Sequence, residues 1–341
     1  MATKRITSID VANLAGVSVA AVSRAFTPGA SIAPETKKRV VEAASTLGYQ
    51  PNVIARSLNK SSSKLVGLLM CGWNNFGDVD VLRLISEGFE AHGYEVMLKS
   101  VPNREKISEY VGQMLQYQVA ALVLVSEVPP AAVAADCALR GVPTLLVNRI
   151  GHGTGCSAVS VDGTNLGNRV GDFLMERRHR RIVLLRGRAD IGFIDEVMNA
   201  ITKTVTARGN CEVIADLSGV LGYEAGRRCI NDLSSRAALP DAVFCSHDHT
   251  AIGVMDGARI DLGLSIPEDL SVIGNGNRTV ASWGAYELTT VEYSPDEVAE
   301  KAVRILLSRL EDPALEPEVA LLKTGLVIRA STREKPVSER V

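Results

Sequence analysis

Two short runs in this 341-residue chain carry side chains whose types and spacing suggest chemistry. The first is Ser18-Val-Ala-Ala-Val-Ser-Arg24. Read as a helix entered from a serine cap, it sets Ser18, Val19, Ala20, Ser23 and Arg24 on one outward stretch. Val19 and Ala20 cannot donate hydrogen bonds, but they fit against a thymine methyl, and Arg24 reaches guanine or a phosphate. The competing reading of Val19 and Ala20 is ordinary helix packing. A second helix with both faces buried would, however, be unusual in so small a head. The second run, His247-Asp248-His249, suggests a metal. Metal ions usually need three or four ligands, and no further His or Cys cluster lies near in sequence. Asp248 is instead expected to cap a helix over 249–262. The run Gly151-His-Gly-Thr-Gly155 precedes a strand rather than joining a strand to a helix, which argues for a loop over a dinucleotide cradle. No nucleophile-elbow, kinase or metalloprotease signature occurs, so neither catalysis nor a cofactor is expected.

The elements that hold the first run can be read around it. Thr7-Ser8-Ile9-Asp10 has the form of a capping box, with Ile9, Val11, Ala12 and Ala15 as the apolar face of the helix that follows. Gly16 ends that helix, and a second runs from Val19 to about Phe26, making a helix-turn-helix. A third starts near Pro34, with Val40, Val41, Ala44 and Leu47 on one face and Gly48 closing it. Lys37, Lys38 and Arg39 near its start are either a solvated face or phosphate contacts.

Charge divides the chain in the same place. Residues 1–64 hold nine Lys or Arg and three acids, a balance of +6, which leaves −8 for the rest of a chain whose net charge is −2. A basic head on an acidic body implies that only the head meets a polyanion. The segment 51–59 is too short for a stable isolated helix, and Lys60-Ser-Ser-Ser-Lys64 reads as linker.

From Leu65 onward apolar strand-length runs (65–71, 95–100, 121–126, 143–148, 158–162, 181–186, 212–216, 242–246 and 271–274) mostly alternate with helical stretches (79–92, 104–117, 163–177, 222–234 and 248–262). That alternation predicts parallel sheets covered on both faces, and about ten strands predict two lobes with a cleft at the strand carboxyl ends. Aromatics are only 4% of residues, which suits close helix-on-sheet packing. No apolar run is long enough to cross a bilayer, and the basic first residues lack the apolar core of a signal peptide, so a cytoplasmic location is expected. The six cysteines form no Cys-x-x-Cys pair and read as free thiols.

The runs Asp10-Val-Ala-Asn-Leu-Ala-Gly-Val-Ser-Val-Ala-Ala-Val-Ser-Arg24, Pro34-Glu-Thr-Lys-Lys-Arg-Val40 and Leu47-Gly-Tyr-Gln-Pro-Asn-Val-Ile-Ala-Arg-Ser-Leu58 resemble the head of the lactose-repressor/galactose-repressor (LacI/GalR) family. The resemblance continues more weakly through Gly141-Val-Pro143, Val161-Asp162, His179-Arg-Arg-Ile182, Pro267-Glu-Asp-Leu-Ser-Val-Ile-Gly274 and Leu288-Thr-Thr-Val291. It implies a helix-turn-helix head (1–50), a hinge helix and linker (51–64), and a periplasmic-binding-protein-like body. The body's N-terminal lobe would be 65–163 with 293–323, and its C-terminal lobe 164–292 with 324–335. It also implies a homodimer on a palindromic operator in double-stranded DNA, a small-molecule effector between the lobes, and no membrane partner. Val19 and Ala20 match the family's main base-reading positions. Thr7, Asn52, Ala55 and Arg56 join the implied DNA contacts, and Leu58 would wedge between base pairs from the minor groove. The alternative for 51–59 is a plain tether.

At the implied effector site this chain departs from the family. Glu196 stands where an arginine is usual, His247 where an asparagine is, and Asn275-Gly276-Asn277 where an aromatic and paired aspartates are. Asp78, Asn148, Glu196, His247 and Asn277 are therefore the candidate ligand contacts, with Phe76 and Tyr293 as apolar walls. A carboxylate in place of the arginine favours a sugar-like or cationic effector, while Arg149 pulls the other way if it faces the cleft. The alternatives are a regulator whose pocket senses no ligand, and a solute-binding protein. The latter predicts an export signal and no basic head.

Overall fold

Three helices build the head: α1 (Ser8–Ala15), α2 (Val19–Ala25) and α3 (Pro34–Leu47). The computed structural model describes residues 6–27, 29–50, 63–71, 78–187, 192–207, 209, 211–235 and 239–333. Contacts divide it into two units, Met1–Ser63 and Lys64–Val341. The capping box forms, with Thr7 donating its backbone N–H (2.8 Å) and its hydroxyl (2.7 Å) to Asp10. Gly16 and Gly48 close α1 and α3 in the left-handed conformation that glycine adopts without a Cβ penalty.

The head's core is mostly alanine and valine (Val11, Ala12, Ala15, Val22, Ala25, Val40, Ala43 and Ala44), so the helix backbones approach closely. Two expected core residues are not in it. Ile9 and Val41 face solvent, and Ala43 takes the place expected for Val41. Arg39 resolves part of the ambiguity over the basic run. Its guanidinium donates to the carbonyls of Ala15 (2.7 and 3.2 Å) and Gly16 (3.1 Å). These are carbonyls that the end of α1 leaves without intrahelical partners, at the negative end of its dipole. Arg39 thus ties α3 to α1.

The body contains two six-stranded sheets. The first holds β1 (Leu65–Cys71), β2 (Glu95–Val101), β3 (Ala121–Val125), β4 (Thr144–Val147), β5 (Ser157–Val161) and β11 (Val319–Leu322). Their order is β11-β5-β4-β3-β1-β2, all parallel. The second holds β6 (Arg181–Leu185), β7 (Glu212–Leu217), β8 (Ala242–Cys245), β9 (Ser271–Asn275), β10 (Thr289–Glu292) and β12 (Gly325–Val327). Their order is β12-β10-β9-β8-β6-β7, with only β12 antiparallel. The chain therefore passes between sheets three times: after β5, after β10 and after β11.

Helices α4 (Asp78–Ala91), α5 (Ile107–Gln116), α6 (Ala131–Leu139) and α11 (Pro295–Glu311) accompany the first sheet. Helices α7 (Gly163–Glu176), α8 (Gly192–Ala207), α9 (Tyr223–Ser234) and α10 (Asp248–Asp256) accompany the second. Helix α10 is shorter than the sequence implies because a π-helical turn, Gly257–Asp261, follows it. Among the described residues no helix is long and apolar enough to cross a membrane. The cysteines at 137, 156, 211, 229 and 245 are free.

Helix pairs in the second lobe meet backbone to backbone. Gly163, Gly167 and Gly171 form a stripe along α7 that faces α8. A Cβ on Gly167 would stand 2.3 Å from the Val197 carbonyl oxygen. Gly167→Val should therefore lower the stability of the full chain by about 3 kcal/mol in thermal unfolding, because no side-chain movement relieves a clash with backbone. Gly112→Ala, in open space on α5, should be neutral or slightly stabilising in the same experiment.

Candidate functional site

In the head, α2 divides sharply between two faces. Ala21, Val22 and Ala25 are buried, whereas Ser18, Val19, Ala20, Ser23 and Arg24 are exposed. Ser18 accepts a hydrogen bond from Ala21 N–H (3.2 Å) and so fixes where the helix begins. Val19, a β-branched aliphatic, is 44% exposed, which rules out core packing as its reason for being there. The Arg24 side chain makes no hydrogen bond or ion pair among the described residues. The result is a short apolar patch beside a free guanidinium, on a helix held in place by its opposite face. Asn52, Ala55, Arg56 and Leu58 lie outside the described residues.

In the body, the carboxyl ends of the strands surround a cleft between the lobes. Its inner part is a cavity of about 40 Å³ reached by Ser126 and Asn148 from the first lobe, and by Phe193, His247 and Arg278 from the second. Tyr293, on the second crossing, lines it too. A larger space of about 550 Å³ adjoins it, sharing Gly276, Arg278 and Tyr293 and adding Asp80, Glu292 and Lys323. The Arg278 guanidinium donates to the Tyr293 hydroxyl (2.9 Å), and the pair stands between the two spaces.

The sequence candidates separate on this map. Asn148, His247 and Tyr293 meet at the inner cavity. Asn277 lines only the outer one, and its amide is committed to Glu292 (2.9 Å) and Arg329 (2.8 Å). Glu196 lines neither. It lies over the first turn of α7, where a Cβ on Gly163 would be 2.9 Å from its Oε2. The inference of a cationic ligand from Glu196 is therefore corrected. Arg149 is buried and donates to the Ser126 carbonyl (3.1 Å) without lining either space. Phe76 and the Asp78 side chain lie outside the described residues.

Asp248 is also corrected. Helix α10 takes His247 as its N-cap, and the Asp248 carboxylate, 1% exposed, turns inward. It accepts from Thr290 Oγ1 (2.5 Å) and from the backbone N–H of Arg278 (2.7 Å). Burial raises its pKa, opposed by those two hydrogen bonds. Among the described residues no group of three metal-ligating side chains occurs, His247 and His249 included. The sequence reading missed Arg278, whose only local signal is its place three residues after the end of a buried strand.

Burial pulls the His247 pKa down to about 4, with the nearby Arg278 guanidinium adding to the effect. Buried His179 shifts the same way, held between the Leu174 carbonyl (2.9 Å) and Ser271 Oγ (2.8 Å). Both are thus neutral in the folded chain.

A helix-turn-helix head ahead of two parallel-sheet lobes with a ligand-sized cleft defines a class, the ligand-responsive DNA-binding regulators. Comparison with known proteins narrows this. The chain is similar to the LacI family of bacterial regulatory proteins. Residues 8–52 match that family's own description, and 172–332 match the periplasmic binding protein-like domain. The HTH-type transcriptional repressor PurR of Erwinia tasmaniensis is 29% identical over 333 residues, covering 96% of this chain and 97% of that protein. The PurR repressor of Pasteurella multocida is 25% identical, covering 96% and 98%. Among solved structures, the lac repressor dimer bound to operator and the anti-inducer ONPF superposes with a TM-score of 0.83 at 23% identity, covering 96% of this chain and 99% of that one. A CelR–cellobiose complex matches with 0.71 at 25% identity, covering 96% and 100%.

The low histidine pKa values set a pH dependence. The unfolded state, with histidines near 6.5, binds protons that the folded state refuses, so stability is full above about pH 6.5 and falls as the pH drops towards 4. His247 alone should remove about 2 kcal/mol between pH 7 and pH 5. Denaturant titrations of the full chain at the two pH values check this. His247→Gln should flatten the slope.

Proposed function

We propose that this chain is a cytoplasmic, non-catalytic transcription repressor that binds a palindromic operator as a homodimer and is controlled by a small molecule held between its lobes. The observation that carries the reading is α2, which presents Val19, Ala20, Ser23 and Arg24 outward from a buried Ala21-Val22-Ala25 face. Together with the head's excess of positive charge, this fits a helix lying in the major groove with its N-terminal residues on base edges. In this reading residues 1–50 bind DNA and 51–64 form the hinge and linker. Residues 65–163 with 293–323 and 164–292 with 324–335 make the two effector-binding lobes. Thr7, Asn52, Ala55 and Arg56 add contacts to the duplex.

The ligand acts through its different affinity for two arrangements of the body. Coupling of about 1–3 kcal/mol corresponds to roughly 5- to 150-fold in operator affinity. The relatives support a repressor. The PurR proteins are named as such, and the lac repressor dimer was crystallised on its operator.

A gel-shift salt titration on a selected operator pool tests the central claim. Log affinity should fall linearly with log salt, with a slope of about −0.9 per phosphate contacted. Indifference to every duplex at low ionic strength would refute DNA binding. Leu58→Ala should weaken operator binding while leaving the unfolding temperature of the body unchanged, and unaltered affinity would remove the wedge.

A further inference from the structure

We propose that the inner cavity receives the carboxylate of a small, singly charged hydroxy acid, paired with Arg278 and Asn148. This rests on the regulatory reading above and deepens it by naming the ligand class.

Among the described residues the cavity wall carries one charge, the half-buried Arg278, and it has no carboxylate at ion-pair distance. Its side chain donates instead to the neutral Tyr293 hydroxyl. Other arginines of the body are closed on acids: Arg186 on Asp195 and Asp216, Arg227 on Asp261, and Arg304 on Glu318. A guanidinium withdrawn from water without a counter-charge is costly unless something supplies one. Among the described residues no acidic side chain lines the inner cavity. The nearby carboxylate, Asp248, is consumed by Thr290 and the Arg278 backbone.

Asn148 points independently to the same ligand. It is 8% exposed, lines the cavity and sits in the left-handed region at φ 60°, yet its side-chain amide has no hydrogen-bond partner among the described residues. Its amide is thus left to face the cavity, where a ligand can meet it. An amide donor and a planar guanidinium fork facing one small space match the two oxygens of a carboxylate. His247 stays neutral and brings no second charge.

Among the described residues Arg278 is the one cation on the inner cavity, which favours a single carboxylate there over a phosphate dianion. The outer space limits the ligand further. Asp80, Glu292 and Glu297 there outnumber Lys323, so the balance of charge disfavours a second carboxylate, while the three carboxylates accept hydrogen bonds from hydroxyls and Thr279, Ser294 and Thr324 add neutral partners. A carboxylate directed inward with a hydroxylated body directed outward satisfies both spaces.

The full-length protein is titrated with D-glycerate, D-gluconate and D-glucuronate, using thermal shift and calorimetry. Gluconamide, D-glucose, succinate and inorganic phosphate serve as comparators. At least one hydroxy monocarboxylate should bind and raise the unfolding temperature. Its amide or aldose counterpart should fail to do so. Arg278→Gln should weaken that binding by about 10- to 100-fold. Asn148→Asp, an isosteric change that a left-handed site tolerates, should abolish it by placing a like charge against the carboxylate. Binding only by neutral sugars, by phosphate or by succinate overturns the assignment. So does unchanged affinity in both variants, or no response to any monocarboxylate at concentrations of about 10 mM, some hundredfold above a typical effector affinity. Each of these failures leaves operator binding intact in the gel shift, whereas failure of the regulatory reading abolishes the shift itself.

Discussion

Three chain crossings between two parallel sheets constrain everything the body does. A parallel sheet presents its functional loops at the carboxyl ends of its strands. Because the chain leaves one sheet for the other after β5, β10 and β11, residues from both lobes are brought to one cleft without any long loop. Ser126 and Asn148 follow strands of the first sheet, while His247 and Arg278 follow strands of the second. Tyr293 lies on a crossing itself. The cleft is thus lined by the backbone segments that also join the lobes.

The buried carboxylate of Asp248 fixes the second lobe's edge of that cleft. It bonds the backbone of Arg278 on one side and Thr290, within β10, on the other. The loop after β9 is therefore held between α10 and β10, and the Arg278 side chain leaves it towards the first lobe's residues. A side chain that looks like a helix cap in the sequence turns out to anchor the loop that carries Arg278 into the cleft.

How much of this was legible depended on how local the signal was. Most of the nine strands read from the sequence are buried apolar runs, with β2 and β7, at the sheet edges, only partly buried. β10, β11 and β12 are harder to read because β10 (Thr289-Thr-Val-Glu292) is largely polar and β11 and β12 are short strands on sheet edges that are only partly buried. The head's outward residues were legible because helix periodicity and a serine cap set their face. Ile9 and Val41 were misplaced because hydrophobicity alone does not say which of two adjacent apolar residues packs, and here alanines let the helices come closer. At the cleft, Asn148, His247 and Tyr293 follow from strand ends. Glu196 and Arg278 do not, because each depends on which way a side chain leaves its backbone, a matter settled by packing against α7 in one case and by Asp248 in the other.

The glycine stripe on α7 bears on how such a body moves. Where two helices interlock through backbone atoms, neither slides along the other without first separating, so gradual shear within that pair is forbidden. The second lobe then turns as a block. Any change of its attitude towards the first is absorbed as torsion in the few residues around 162, 293 and 323. Tyr293 occupies one of those pivots and is bonded to Arg278, so a guest that engages the guanidinium also acts on an axle of the rotation.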